Sequence, residues 1–213
     1  MRKNVKKQLA LRVLSTAALV AMVSSIATAA FADTYDVTKG SVDILAEGGK
    51  QYITQWEDKD KDTCVKDGKG KEIRDREDSD ITLTTKDETT GETKTTHNTV
   101  TIDAKEGNTA NVTLQDVHIE SSSTWSSDPA PIEIKGNGST NLELNGNNTV
   151  FSGNEDHAGI EKADVNGTGT LTIKDDLNDK GEEKTSTDED STLVAGGFEN
   201  SAAIGGGGTL CTC

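Results

Sequence analysis

Aromatic side chains are scarce: the 213 residues hold three Phe, two Tyr and two Trp, with two prolines and three cysteines. So few rings exclude a large core of ordinary globular composition. Basic residues are also few, and unevenly placed. The first 32 residues contain five of the 22 Lys and Arg and no acid, so the other 181 carry 17 basic against 37 acidic side chains, a net charge of −20. Without clustered Lys and Arg the chain is not a nucleic-acid binder, and its charge disfavours anionic membranes. About 26% of those 181 residues are apolar, which borders on the composition of disordered chains. Cys64, Cys211 and Cys213 are odd in number and irregular in spacing, so they form no disulfide framework. Cys211-x-Cys213 offers half a zinc site at best, and stray thiols are the simpler reading.

What is present is patterned. A basic stretch through Arg12 leads into an apolar run, 13–30, that closes on Ala30-Phe31-Ala32 before Asp33. That reads as a secretory signal peptide of bacterial style over residues 1–32, with a small-x-small cleavage site; an uncleaved signal anchor is the alternative, since the run approaches spanning length. The mature protein is therefore expected outside the cell, with no membrane insertion once the signal is cleaved.

Beyond it, similar strings recur: NVTL at 111–114, NLEL at 141–144, GTLTI at 169–173 and GTLCTC at 208–213. Matching Leu114, Leu144 and Ile173 gives steps of 30 and 29 residues; the next, to Thr212, is 39, with the excess in the acidic stretch 175–191. A second register repeats around Ile132, Ile160 and Ile204, and VHI (117–119) and TVF (149–151) lie between. Each string alternates apolar and polar residues as strands do, and Asn-Gly and Gly-Asn breaks separate them. Three short strands per 30 residues is the arithmetic of a parallel β-helix, whose rungs stack at roughly 4.8 Å. Val112, Leu114, Leu142, Leu144, Leu171, Ile173 and Leu210 point inward; Thr, Asn, Glu and Asp point out. A β-sandwich also suits short strands at this spacing, but the constant recurrence favours the helix.

The fold expected is all-β: a parallel β-helix solenoid with an irregular N-terminal cap or opening rung over 33–98 and rungs over 99–213. Val42/Ile44, Tyr52/Ile53, Ile81/Leu83 and Val100/Ile102 supply strands of the cap. Residues 57–80, with ten acids and seven bases, read as a solvated excursion that buries nothing. The stretch 175–191 reads as an acidic insertion. The last rung is incomplete, so the C-terminal end is expected to be truncated.

At NLELNGNNTVFSG (141–153), AGIEK (158–162) and AAIGGGGT (202–209) the chain resembles bacterial surface proteins of the carbohydrate-binding-domain or adhesin-like right-handed β-helix group. Leu142, Leu144, Gly146, Asn148 and Val150 fill one part of that group's rung, Ala158 to Ile160 the second, and Gly169 to Ile173 the third. The opening YDVTKGSVDILAEGGKQYIT (35–54) is similar as well. The resemblance implies a right-handed helix and a glycan or cell-surface partner; it rests on degenerate strings and speaks less to ligand than to fold.

No catalytic motif stands out. Arg74 and Arg76 are the only arginines after the signal peptide and both lie in the excursion, so a polysaccharide lyase lacks a base in the rungs. A glycosidase needs two carboxylates at a set separation, and the repeat singles out no pair. Asp156-His157 reads as a solvated corner. The Gly run 205–208 lacks the Lys-Ser/Thr of a phosphate loop. The chain is therefore read as no enzyme. Calcium is the one cofactor suggested, by Asp58-x-Asp60-x-Asp62, although Thr63 and Lys69 stand where a calcium loop of the EF-hand kind needs Gly and an acid. For sugar binding the candidates are Trp125, in the polar stretch 121–128, and Trp56 with Tyr52 on the same strand face. For the latter two, packing of the cap is the simpler reading. Asn111, Asn141 and Asn145 read as a stacked side-chain ladder. The function expected is a carbohydrate-binding or adhesin-like module; polysaccharide degradation on the same fold and a passive stalk are the alternatives.

Overall fold

The computed structural model describes residues 33–121, 129–154, 156–163, 168–178, 182–185, 187–198 and 201–206, all within one unit spanning Ala32–Cys213. The signal segment, Trp125, Leu210, Cys211 and Cys213 lie outside the described residues. The protein is all-β. Its N-terminal part carries β1 (Thr34–Asp36), β2 (Ser41–Glu47), β3 (Lys50–Trp56), β4 (Arg76–Glu77), β5 (Ile81–Thr84) and β6 (Val100–Ala104). Three triplets follow: β7 (Thr109–Gln115), β8 (His118–Glu120) and β9 (Ile132–Lys135); then β10 (Ser139–Asn145), β11 (Asn147–Phe151) and β12 (Ile160–Lys162); then β13 (Leu171–Lys174), β14 (Thr192–Gly196) and β15 (Ile204–Gly205). Among the described residues the only helical segment is a 3₁₀ turn, Val37–Lys39.

Each triplet contributes one strand to each of three sheets, always in the same order. The first sheet runs β1-β5-β7-β10-β13, the second β8-β11-β14, and the third β15-β12-β9-β6-β2-β3-β4. Every pairing is parallel except β2 with β3 and β3 with β4. Register places like on like: Ile81, Val112, Leu142 and Ile173 follow one another across the first sheet. Val42, Val100, Ile132, Ile160 and Ile204 do so across the third. The side chains of these rows that lie inside the stack are almost wholly buried. Each contributes about 1.5–3 kcal/mol relative to exposure, which is how so few aromatics suffice.

Two sequence expectations need correction. The first concerns register. Leu114 does pair with Leu144, 30 residues on, but Ile173 pairs with Leu142, not Leu144, a step of 31. A two-residue slip leaves every side chain on its own face, so alternation alone does not detect it. Close backbone packing decides it instead: a Cβ on Gly169 would stand 1.7 Å from the carbonyl oxygen of Gly138. The second concerns 57–80, which does not merely project into solvent. Cys64, Val65 and Ile73 are buried, and the segment doubles back along β3 through Val65 N–H to Gln55 O and Gln55 N–H to Ile73 O, both 2.9 Å. Three apolar side chains dispersed among charges gave no periodic signal.

The acidic stretch 175–191 does separate β13 from β14, and it explains the long final steps from Val150 to Ala195 and from Ile160 to Ile204. It is anchored by buried Glu143, whose Oε1 accepts from the amides of Asp176 and Leu177 at 2.7 Å and whose Oε2 pairs with Lys174 at 3.0 Å. The strand TLVAG beyond it was not anticipated.

Candidate functional site

Strand alternation sends the aliphatic rows of the third sheet inward and a polar row outward. Asp43, Thr101, Glu133 and Glu161 are neighbours across β2, β6, β9 and β12. On this face lies an open cleft of about 320 Å³. Ser41, Thr99, Thr101, Glu133 and Lys135 line it from β2, β6, β9 and the residue before β6; Asp58, Lys59 and Lys61 come from the loop after β3. His97 and Asn98 come from the approach to β6, and Ser121 and Pro129 from the connection between β8 and β9.

Most of the cleft's charges are fixed locally. Lys61 Nζ donates to both oxygens of Asp43, at 2.9 and 2.7 Å, and Lys135 pairs with Glu133 at 2.7 Å. The backbone amides of Asp62 and Thr63 donate to Asp58 at 3.1 and 2.8 Å, and the first of these holds its carboxyl below the usual carboxylate range. Asn98 spends its side-chain amide on the carbonyls of Val37 and Thr38, tying the 3₁₀ turn to the start of β6.

Larger hollows exist but satisfy themselves. One of about 630 Å³ contains Tyr35, Asp67 and Arg76. There Arg76 pairs with Asp67 and Asp33, and the Tyr35 hydroxyl donates to Asp78 at 2.9 Å. Burial and that carboxylate push the Tyr35 hydroxyl well above its ordinary pKa. Another, of about 520 Å³, lies against the acidic insertion, where Lys184 bonds Asp175, the carbonyl of Glu189 and Ser191.

The structure scatters most of the residues picked out from the sequence. Trp56 lies half-buried on β3; its indole N–H donates to Asp43 at 2.7 Å and the Arg74 guanidinium sits 5.1 Å from its ring centroid. Tyr52 stands half-buried between Leu45 of β2 and Glu77 of β4. Neither ring lines the cleft. Asp58 caps its own loop, and among the described residues no three acidic, His or Cys side chains gather where a metal ion could be held, so Asp60 and Asp62 are not brought together with it. Trp125 lies outside the described residues, yet Ser121 and Pro129, the nearest described residues on either side of it, both line the cleft. Asp156-His157 is not a solvated corner: His157 Nδ1 lies 2.9 Å from Oε2 of buried Glu161, which also accepts from Ala158 N–H at 3.1 Å. The clamp closes the turn before β12.

The asparagine ladder is present in part: Asn141 Nδ2 donates to Asn111 Oδ1 at 2.9 Å, whereas Asn145 stands beside Gln115. Fully buried Asn148 extends the theme: it accepts from Val117 N–H at 3.0 Å and donates to the carbonyls of Asn145 and Thr192. The cleft's own residues were missed as a group because four separate segments supply them. The one sequence signal for them was the outward row that alternates with the aliphatic one.

Comparison with known protein families, with curated proteins and with solved structures finds no match to this chain. Among the described residues no helix is long and apolar enough to cross a membrane.

Proposed function

We propose that the mature chain is a secreted, cell-surface, non-catalytic glycan-binding or adhesin-like module built as a right-handed parallel β-helix. The coil is supported by the repeated delivery of one strand to each of three parallel sheets. Export is supported by the signal-peptide pattern of residues 1–32. The observation that carries the binding reading is the cleft on the third sheet. It is open, its floor offers the hydroxyls of Ser41, Thr99 and Thr101, and Ser121 and Pro129, which flank residues 122–128 in the sequence, line its rim. Sugars are recognised by such polar groups beside a ring, and residues on a stacked sheet are held in place without a ligand.

A glycan array probed with residues 33–213, with calcium and with chelator, tests the reading. Binding is expected to disappear in Thr101→Trp, which fills the cleft from its floor, and to weaken about tenfold in Trp125→Ala, the loss of one stacking contact. Far-UV circular dichroism checks that both variants keep their strands. Binding that survives both substitutions overturns the assignment of the cleft. Absence of binding to any glycan by the folded chain overturns the function and favours the stalk.

A further inference from the structure

The hydrogen-bonding capacity that the cleft leaves unused is lopsided. Each carboxylate that lines it already has a local donor: Asp58 accepts two backbone amides, and Glu133 accepts the Lys135 ammonium. Two of its hydroxyl oxygens are also engaged as acceptors, Ser41 Oγ from Thr99 N–H at 3.1 Å and Ser121 Oγ from Gly153 N–H at 3.3 Å, so each hydroxyl proton remains to donate. The donors are in surplus. Lys59 lines the cleft, is exposed, and makes no ion pair or hydrogen bond with any described residue. Lys135 commits one of its three N–H groups to Glu133, and Lys61 commits two to Asp43. A surplus of charged donors is complemented by an acceptor-rich anion, and charge-assisted hydrogen bonds are the stronger kind.

We propose that this cleft binds an anionic saccharide, one whose sugar carries a carboxylate or a sulfate ester, with Lys59 as the principal contact and Lys135 and the Ser41 hydroxyl beside it. The proposal rests on the glycan-binding reading of the same cleft and narrows its ligand. The net charge of −20 over residues 33–213 does not oppose it at contact range. Charges farther than about 8 Å are largely screened at physiological ionic strength, whereas a bound anion touches the lysines directly. Selectivity follows from the same contrast, because the surrounding acidic surface disfavours anions everywhere that no such donors gather.

Isothermal titration of residues 33–213 with four probes tests it: oligogalacturonate, its methyl ester, a sulfated heparin oligosaccharide and neutral chito-oligosaccharide. Binding of the galacturonate or the sulfated probe is expected, with loss on esterification in the first case. Lys59→Gln should weaken it about tenfold, the loss of one charge-assisted hydrogen bond, and Lys59→Glu more. Lys66→Gln, a charge change of the same size outside the cleft, should leave it unaltered. Which anionic probe binds identifies the acid group. Equal binding of the neutral and anionic probes, or insensitivity to Lys59→Glu, overturns the anionic ligand while leaving glycan binding intact. No binding of any probe, together with a blank glycan array, overturns both.

Discussion

The two ends of the sheet stack are finished differently. At the N-terminal end the third sheet turns antiparallel: β3 folds back on β2, β4 pairs with β3, and the charged excursion lies along them with Val65 and Ile73 buried beneath. Two buried glutamines fasten this cap. Gln51 bonds both the N–H and the C=O of Asn111 on the first sheet, and Gln55 donates to the carbonyls of Asp36 and Gly40. At the other end β13, β14 and β15 are the outer strands of their sheets. Ile204 is 44% exposed where its row-mate Ile160 is fully buried. The same kind of strand is therefore core or surface according to whether another turn lies over it. Burial of the inward rows therefore depends on a strand having paired neighbours on both sides.

The contrast is broken most directly by shortening matched side chains. Ile134→Ala, in the middle of the stack, should destabilise the protein by about 3 kcal/mol, and Ile204→Ala by under about 1 kcal/mol, in urea unfolding. Equal losses would mean that the end is as well covered as the middle. Within the cap, Ile73→Ala should cost about 2 kcal/mol, which a wholly solvated excursion would not show. A smaller gain is expected from Thr140→Val. The Thr140 hydroxyl is fully buried in the inner row of β10 and has no hydrogen-bond partner, so its removal should raise stability by about 1 kcal/mol.

The smallest effect is one of pH. Lys94, assisted by the amides of Thr90 and Thr89, holds the Asp87 carboxyl at about 2, below the ordinary 3.8. A depressed carboxyl stabilises above its unfolded pKa and ceases to do so as pH falls through its folded one. The loop 86–94 should therefore hold its Lys86–Thr93 bridge above pH 4 and loosen toward pH 2. Amide shifts of Thr89 and Thr90 would follow that change, while those of β14 and β15, which contain no charged residue, should show no comparable transition.

The comparison also explains what could be read from the sequence. Inward rows were legible because Val, Leu and Ile alternate with polar residues and recur near every thirtieth position. Ile132, Ile160 and Ile204 were aligned correctly because nothing but a turn boundary distinguishes their strings. Where the repeat is interrupted, the signal failed. The strand 192–196 was hidden behind an insertion that lengthens its turn. The folded part of 57–80 was hidden because Cys64, Val65 and Ile73 have no periodicity. The register of β13 rested on glycine contacts between turns, and the cleft on residues from four segments, neither of which a one-dimensional pattern records.

Amide hydrogen exchange on residues 33–213, read by mass spectrometry, tests most directly whether each strand is held by the strands paired on either side of it. Strands β6, β7, β9 and β10 should exchange slowest, with protection falling through β12 to β13, β14 and β15. Uniform protection from β6 to β15, lost in one cooperative step, would contradict it.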